Sequence, residues 1–164
     1  PWLVLALLGG FVTVKVMGLF DGAMEEHGNL FYFTPLIAAM AGNVGVQSSA
    51  IIVQGLANNT LSGSLWKRLV KEVSLSLLNS SILSVILILG SHFLLGVNYE
   101  VGLTVSISLI SVIVIASLIG TFVPILLNKF GIDPALATGP FITTSNDICG
   151  ILIYFSIAKV ILGF

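Results

Sequence analysis

Residues 139–164 read GPFITTSNDICGILIYFSIAKVILGF. From Phe141 onward this is the composition of a membrane helix, yet Asp147 stands inside it. An ionised carboxylate in hydrocarbon costs about 2.5–3.5 kcal/mol on insertion scales. The stretch raises two questions together: whether the chain lies in a bilayer, and what its buried acid is for.

The rest of the sequence answers the first. The 164 residues are 57% hydrophobic and 8% charged, with a mean hydropathy of +1.14, whereas soluble domains carry about 25% charged residues. Crossing a bilayer takes roughly 20 predominantly apolar residues. About five stretches meet that length: residues 2–20, 30–56, 73–95, 101–127 and 141–163. The predicted fold is an all-α membrane protein with five transmembrane helices, and residues 1–164 form a single membrane domain with no cytosolic sensing domain. Cys149 is the only cysteine, so no disulfide forms within one chain. The opening PWLVLALLGG has neither an initiator Met nor a basic leader, so the numbering is expected to begin partway into a longer protein.

Charges cluster between the spans. The first connection, DGAMEEHGN, is acidic, and the third, GVNYE, holds only Glu100. The second, ANNTLSGSLWKRLVKE, carries Lys67, Arg68 and Lys71, and the fourth, NKFGIDPALATGP, carries Lys129 and Asp133. Counting Lys and Arg in short loops puts the second and fourth connections and the N-terminus in the cytoplasm, with the C-terminus outside. The protein is expected in the inner or plasma membrane. Lys15 and Lys159 lie near helix ends and can snorkel. SLWKRLVKEV suits either a short surface helix or a solvated loop. Ser76, Ser80 and Ser84, and the pair Ala116 and Gly120, have the spacing of close helix packing. Thr104, Ser108 and Ser111 are expected to hydrogen-bond between helices, and neither His27 nor His92 is expected to be a ligand.

Two polar stripes stand out against this apolar background. In the second span Asn43, Gln47, Ala50 and Gln54 fall on one helical face, near Pro35, Gly42 and Gly45. Glycine and proline at membrane depth free backbone carbonyls and are tolerated where a helix packs in protein or lines a cavity. In the last span Thr143, Asp147, Gly150 and Tyr154 share a face. Pro134 and Pro140 set a rigid, non-helical approach to it. Asp147 lies six residues past Phe141, about 9 Å deep at 1.5 Å per residue. The two stripes can meet near the level of Gln47 to Ala50. Two readings remain open on the residues alone: a protonated, hydrogen-bonded acid in a helix seam, or a carboxylate facing a bound cation. Hydroxyls, amides, carbonyls and one carboxylate are hard ligands that point toward Mg²⁺ or a similar ion.

PLIAAMAGNVGVQSSAIIVQGLA and GIDPALATGPFITTSNDICGILIYF together resemble the transmembrane domain of the MgtE-type magnesium channels. PWLVLALLGGFV and LFDGAMEE are similar too, so the resemblance covers essentially the whole chain. It implies a homodimer of five-helix subunits, with one pore on the two-fold axis lined by the second and fifth spans. It makes Asp147 the pore carboxylate that, with its symmetry mate, holds a largely hydrated Mg²⁺. Thr143 matches a position whose backbone carbonyl faces that ion, Asn43 a pore-lining amide, and Asp133 an acid at the cytoplasmic mouth. Gly42, Gly45, Gln47, Pro35, Thr144 and Gly150 are expected along the pore. Ala41, Gln54, Asn79 and the serines of the third span depart from the family's usual residues.

The function expected is passage of Mg²⁺, with Mn²⁺ or other divalent cations possible, through a channel in the lipid bilayer. A secondary transporter exchanging a divalent cation for Na⁺ or H⁺ is the alternative, and an assembly subunit with polar stripes as helix glue is a third. No nucleic-acid partner is expected. Nor is an enzyme, because no nucleophile–base pair or catalytic metal cluster is apparent.

Overall fold

The computed structural model describes residues 2–61 and 63–164, with all their side chains except those of Trp2, Met24 and Ala137. Pro1 and Ser62 lie outside the described residues. The elements in chain order are α1 (Trp2–Gly18), α2 (Asp21–Glu26), α3 (Asn29–Ala57), α4 (Leu65–Phe93), α5 (Tyr99–Lys129), a 3₁₀ turn (Pro134–Ala137) and α6 (Pro140–Leu162). Among the described residues there is no strand. Four helices, α3 to α6, are long and apolar enough to cross a membrane. The remaining expected span, α1, is equally apolar but has 17 residues, about 25 Å of helix.

The basic segment after α3 is neither a loop nor a separate surface helix. It is the first turns of α4, which begins at Leu65. The Ser64 side chain caps it, its Oγ accepting the Lys67 N–H at 3.3 Å, a contact of a kind that contributes about 1 kcal/mol. The approach to α6 also differs in part from the expectation. Thr138 is extended, but Pro134–Ala137 winds into one 3₁₀ turn. Proline tolerates this position because the N–H it lacks has no partner in a first turn anyway. Gly139 then turns the chain into α6 at φ +64°, a conformation that glycine adopts without strain.

α5 is the central strut. α3, α4, α6 and the 3₁₀ turn all pack on it, whereas α1 packs on α6. The apolar core gathers toward the end of the bundle that bears α2. Leu30, Phe33 and Ile37 of α3 meet Val105, Leu109 and Ile113 of α5 and Ile151 and Phe155 of α6 there. Tyr154 ties that end together, its hydroxyl donating to the Leu30 carbonyl at 2.8 Å. Serines join α4 to α5. Ser76 donates to Ser117 at 2.6 Å, and Ser84 and Ser106 donate to one another's backbone carbonyls at 2.9 and 3.2 Å. Thr104, Ser108 and Ser111 do not bridge helices as expected. Each bonds back to the carbonyl four residues earlier on α5, the local alternative open to any helical Ser or Thr.

Toward the 3₁₀ end the apolar core gives way to small and polar residues. Gly45 of α3, Gly120 of α5 and Asn146 of α6 meet there, with the Gly45 carbonyl pressed on Gly120. A side chain at either glycine would hold the helices apart.

Candidate functional site

Three grooves run side by side across α4, α3, α6 and α1, and two polar ridges divide them. Between α3 and α6 lies a groove of about 430 Å³ lined by Ala38, Gly42, Asn43, Gln47, Thr143 and Asp147, among others. Between α6 and α1 lies one of about 450 Å³ lined by Gly10, Thr13, Gly139, Thr143, Thr144 and Asp147. Thr143 and Asp147 belong to both and form the ridge between them. On the other side of α3 a groove of about 560 Å³ opens toward α4, and Asn43 and Gln47 line it as well. These two amides form the second ridge.

The two stripes thus share one groove. Their level differs from the expected one: Asp147 meets α3 at Gly42, where a built Cβ would lie 3.7 Å from its Oδ1. The 3₁₀ turn packs against α5, α3 and α6. Asp147 is partly buried, and Asn43, Gln47, Ala50 and Gln54 are exposed on the single chain. Thr143 donates its hydroxyl to the Gly139 carbonyl at 3.1 Å, which leaves its methyl toward Gly42. The small size of Gly42 is what lets α3 and α6 approach at the acid.

The other expected residues fall elsewhere. Thr144 lines the α1 groove, its methyl pressed on Gly9. Gly45 and Gly150 are buried at helix contacts instead of facing a groove: Gly45 takes the Asn146 amide, and Gly150 lies close to Ala41 and Val112. Pro35 is exposed within α3 but lines none of the three grooves. Asp133 caps the 3₁₀ turn, its Oδ1 accepting the Ala135 N–H at 2.9 Å, and is not brought to Asp147.

Two polar residues escaped the sequence reading. Glu72, set among loop charges by its neighbours, lies on α4 in the third groove and accepts a 2.7 Å hydrogen bond from Ser48 Oγ. The N-cap residue Ser64 was the signal that α4 starts early enough to carry it inward. Asn146 is 1% exposed, and neither amide atom has a hydrogen-bond partner. Its position next to Asp147 hid it, because adjacent helical residues point to different faces.

One chain offers a single carboxylate, amide oxygens and hydroxyls on an open polar face, and no cluster of three or more His, Cys, Asp or Glu exists among the described residues. Such hard oxygen donors suit an ion that keeps its water shell.

Comparison with known proteins agrees with this chemistry. The MgtE family, described as a divalent cation transporter, matches residues 34–157. The magnesium transporter MgtE of Bacillus subtilis is 36% identical over 159 residues, 96% of this chain and 35% of that protein. Those of Thermus thermophilus and Enterococcus faecalis are each 34% identical, over 98% and 100% of this chain and 36% of their own length. The chain therefore spans about a third of the length of the curated relatives it matches.

Proposed function

Since the chain belongs to the MgtE family of divalent cation transporters, we propose that it is the pore of a homodimeric channel that passes Mg²⁺ down its electrochemical gradient. The observation that carries this reading is the Thr143–Asp147 ridge. It stands half-buried between two grooves, beside the amides of α3. A polar face of that kind in a membrane protein needs water or a second subunit against it. A two-fold axis beside α3 and α6 supplies both, since an isologous interface places the same patch opposite itself.

Two Asp147 carboxylates across the axis repel one another, and a divalent cation between them offsets both charges. Mg²⁺ gives up its water reluctantly, so the ion is held through its hydration shell. Thr143 and Asn43 complete that shell's partners. The membrane potential drives passage, at about 2.3 kcal/mol per charge per 100 mV and twice that for a divalent ion. In this reading α1 also crosses the bilayer, tilting little because it is short. The N-terminus and the 3₁₀ turn lie on the cytoplasmic side, with Asp133 at that mouth, and the C-terminus lies outside. Mn²⁺ and other divalent cations of similar size are further candidates for passage.

The test is Mg²⁺ uptake into proteoliposomes containing an internal Mg²⁺ dye, under imposed voltage, Na⁺ and pH gradients. A channel predicts uptake that follows voltage and the Mg²⁺ gradient and is indifferent to Na⁺ and H⁺ gradients. Uptake locked in fixed ratio to Na⁺ or H⁺ movement would replace the channel by an exchanger.

A further inference from the structure

α4 carries a second carboxylate into the bundle. Glu72 lies seven residues past Leu65, about 10 Å along the helix, and is only partly exposed. One hydroxyl, Ser48 Oγ, donates to its Oε1 at 2.7 Å. A single neutral donor does not offset a full negative charge at membrane depth, and an ionisable residue there needs a charge partner. On its own helix only Arg68, one turn nearer the 3₁₀ end, has the i,i+4 spacing to reach it. That long side chain is also free to snorkel to the nearby surface.

The surroundings of Glu72 supply what a cation needs. The groove of about 560 Å³ beside it is lined by Asn43, Gln47, Ser48, Ser76 and Asn79 among apolar neighbours. Ser76 is committed to Ser117, which leaves the carboxylate and three amides as oxygen donors. Asn43 and Gln47 also line the groove of Asp147 on the other side of α3. The two carboxylates are therefore neighbours across one helix, with the same amides between them. Along α3 they are set off by the six residues from Gly42 to Ser48, about 9 Å, with Glu72 nearer the 3₁₀ end.

We propose that Glu72, with Asn43, Gln47 and Asn79, forms a second station for a hydrated divalent cation, off the path through Asp147 and joined to it by the shared amides. Ser48 positions the carboxylate. The station rests on the function proposed above, because it assumes that divalent cations reach these grooves. It gives each subunit its own site, whereas Asp147 and its symmetry mate share one.

Mn²⁺ serves as the probe, its free concentration read by electron paramagnetic resonance during titration of the whole chain in nanodiscs. The unmodified protein is expected to bind about three Mn²⁺ per dimer, two at the Glu72 stations and one at the axis, as hard oxygen sites. Glu72→Gln is expected to lose the two and keep the one; Asp147→Asn is expected to do the reverse. Ser48→Ala keeps the number but weakens the Glu72 class several-fold, and it provides the decisive variant if Glu72→Gln does not yield a monodisperse dimer. Unchanged number and affinity in Glu72→Gln, or unchanged affinity in Ser48→Ala, would overturn the second station. If Asp147→Asn alone changes nothing, the axial site fails and the Glu72 station stands.

Discussion

At the scale of single residues, glycines decide how near the polar groups come to one another. Gly45 is the sharpest case. A Cβ there would collide with the Asn146 amide and lie 2.9 Å from Ile142 Cγ2. Over-packing of this kind typically costs 1–3 kcal/mol, so Gly45→Ala is expected to lower the unfolding temperature in detergent by several degrees. Adding Asn146→Ala should recover part of the loss, since contacting residues are coupled. A full, additive loss in the double variant would place the strain elsewhere. The sequence showed Gly42, Gly45 and Gly150 as one kind of residue, freeing space along a pore. Only packing separates Gly42, which faces the acid, from Gly45 and Gly150, which join helices. That Asp147, Asn43 and Gln47 would line one groove was legible, because a polar residue recurring at helical spacing has one face to occupy. Glu72 was not, because it follows Lys71 in a run of charges that resembles a loop.

At the scale of the element, one helix serves both the site and the core. α6 presents Asp147 near its start and Tyr154 two turns later, so the same helix holds the acid and is anchored by the hydroxyl bond to Leu30. Tyr154→Phe removes only that bond. It is expected to cost about 1 kcal/mol of stability, read as a small shift of the thermal midpoint. Tyr154→Ala also empties a fully buried position and is expected to cost about 3–5 kcal/mol. Equal effects would mean that the bond, and not the ring, holds the end of α6. The serine spacing on α4 did foretell a helix seam, and Ser76 and Ser84 form it with α5. The hydroxyls of α5 itself misled, since a lone sequence cannot say whether a serine bonds across to a neighbour or back along its own helix.

At the scale of the molecule, the apolar core lies toward one end and the grooves open where it thins. The bundle is thereby apolar where α2, Leu30 and Tyr154 meet and polar where α3, α6 and α1 flank Asp147. The helical character and the membrane setting were plain from composition. The arrangement of helices around α5 was not, because the spans share one composition and contacts between distant segments leave no local trace. The central claim is that Asp147 on this open face holds the passing ion between two subunits. The most direct measurement compares Mg²⁺ influx into proteoliposomes for the unmodified chain, Asp147→Asn and Asp147→Ala, each first shown to elute as an intact dimer in detergent. Fast influx is expected for the unmodified chain, with a collapse of at least tenfold in both variants, equivalent to about 1.4 kcal/mol or more in the barrier. Influx unchanged in intact dimers of both variants would contradict that claim and make Asp147 a packing acid in a path that runs elsewhere.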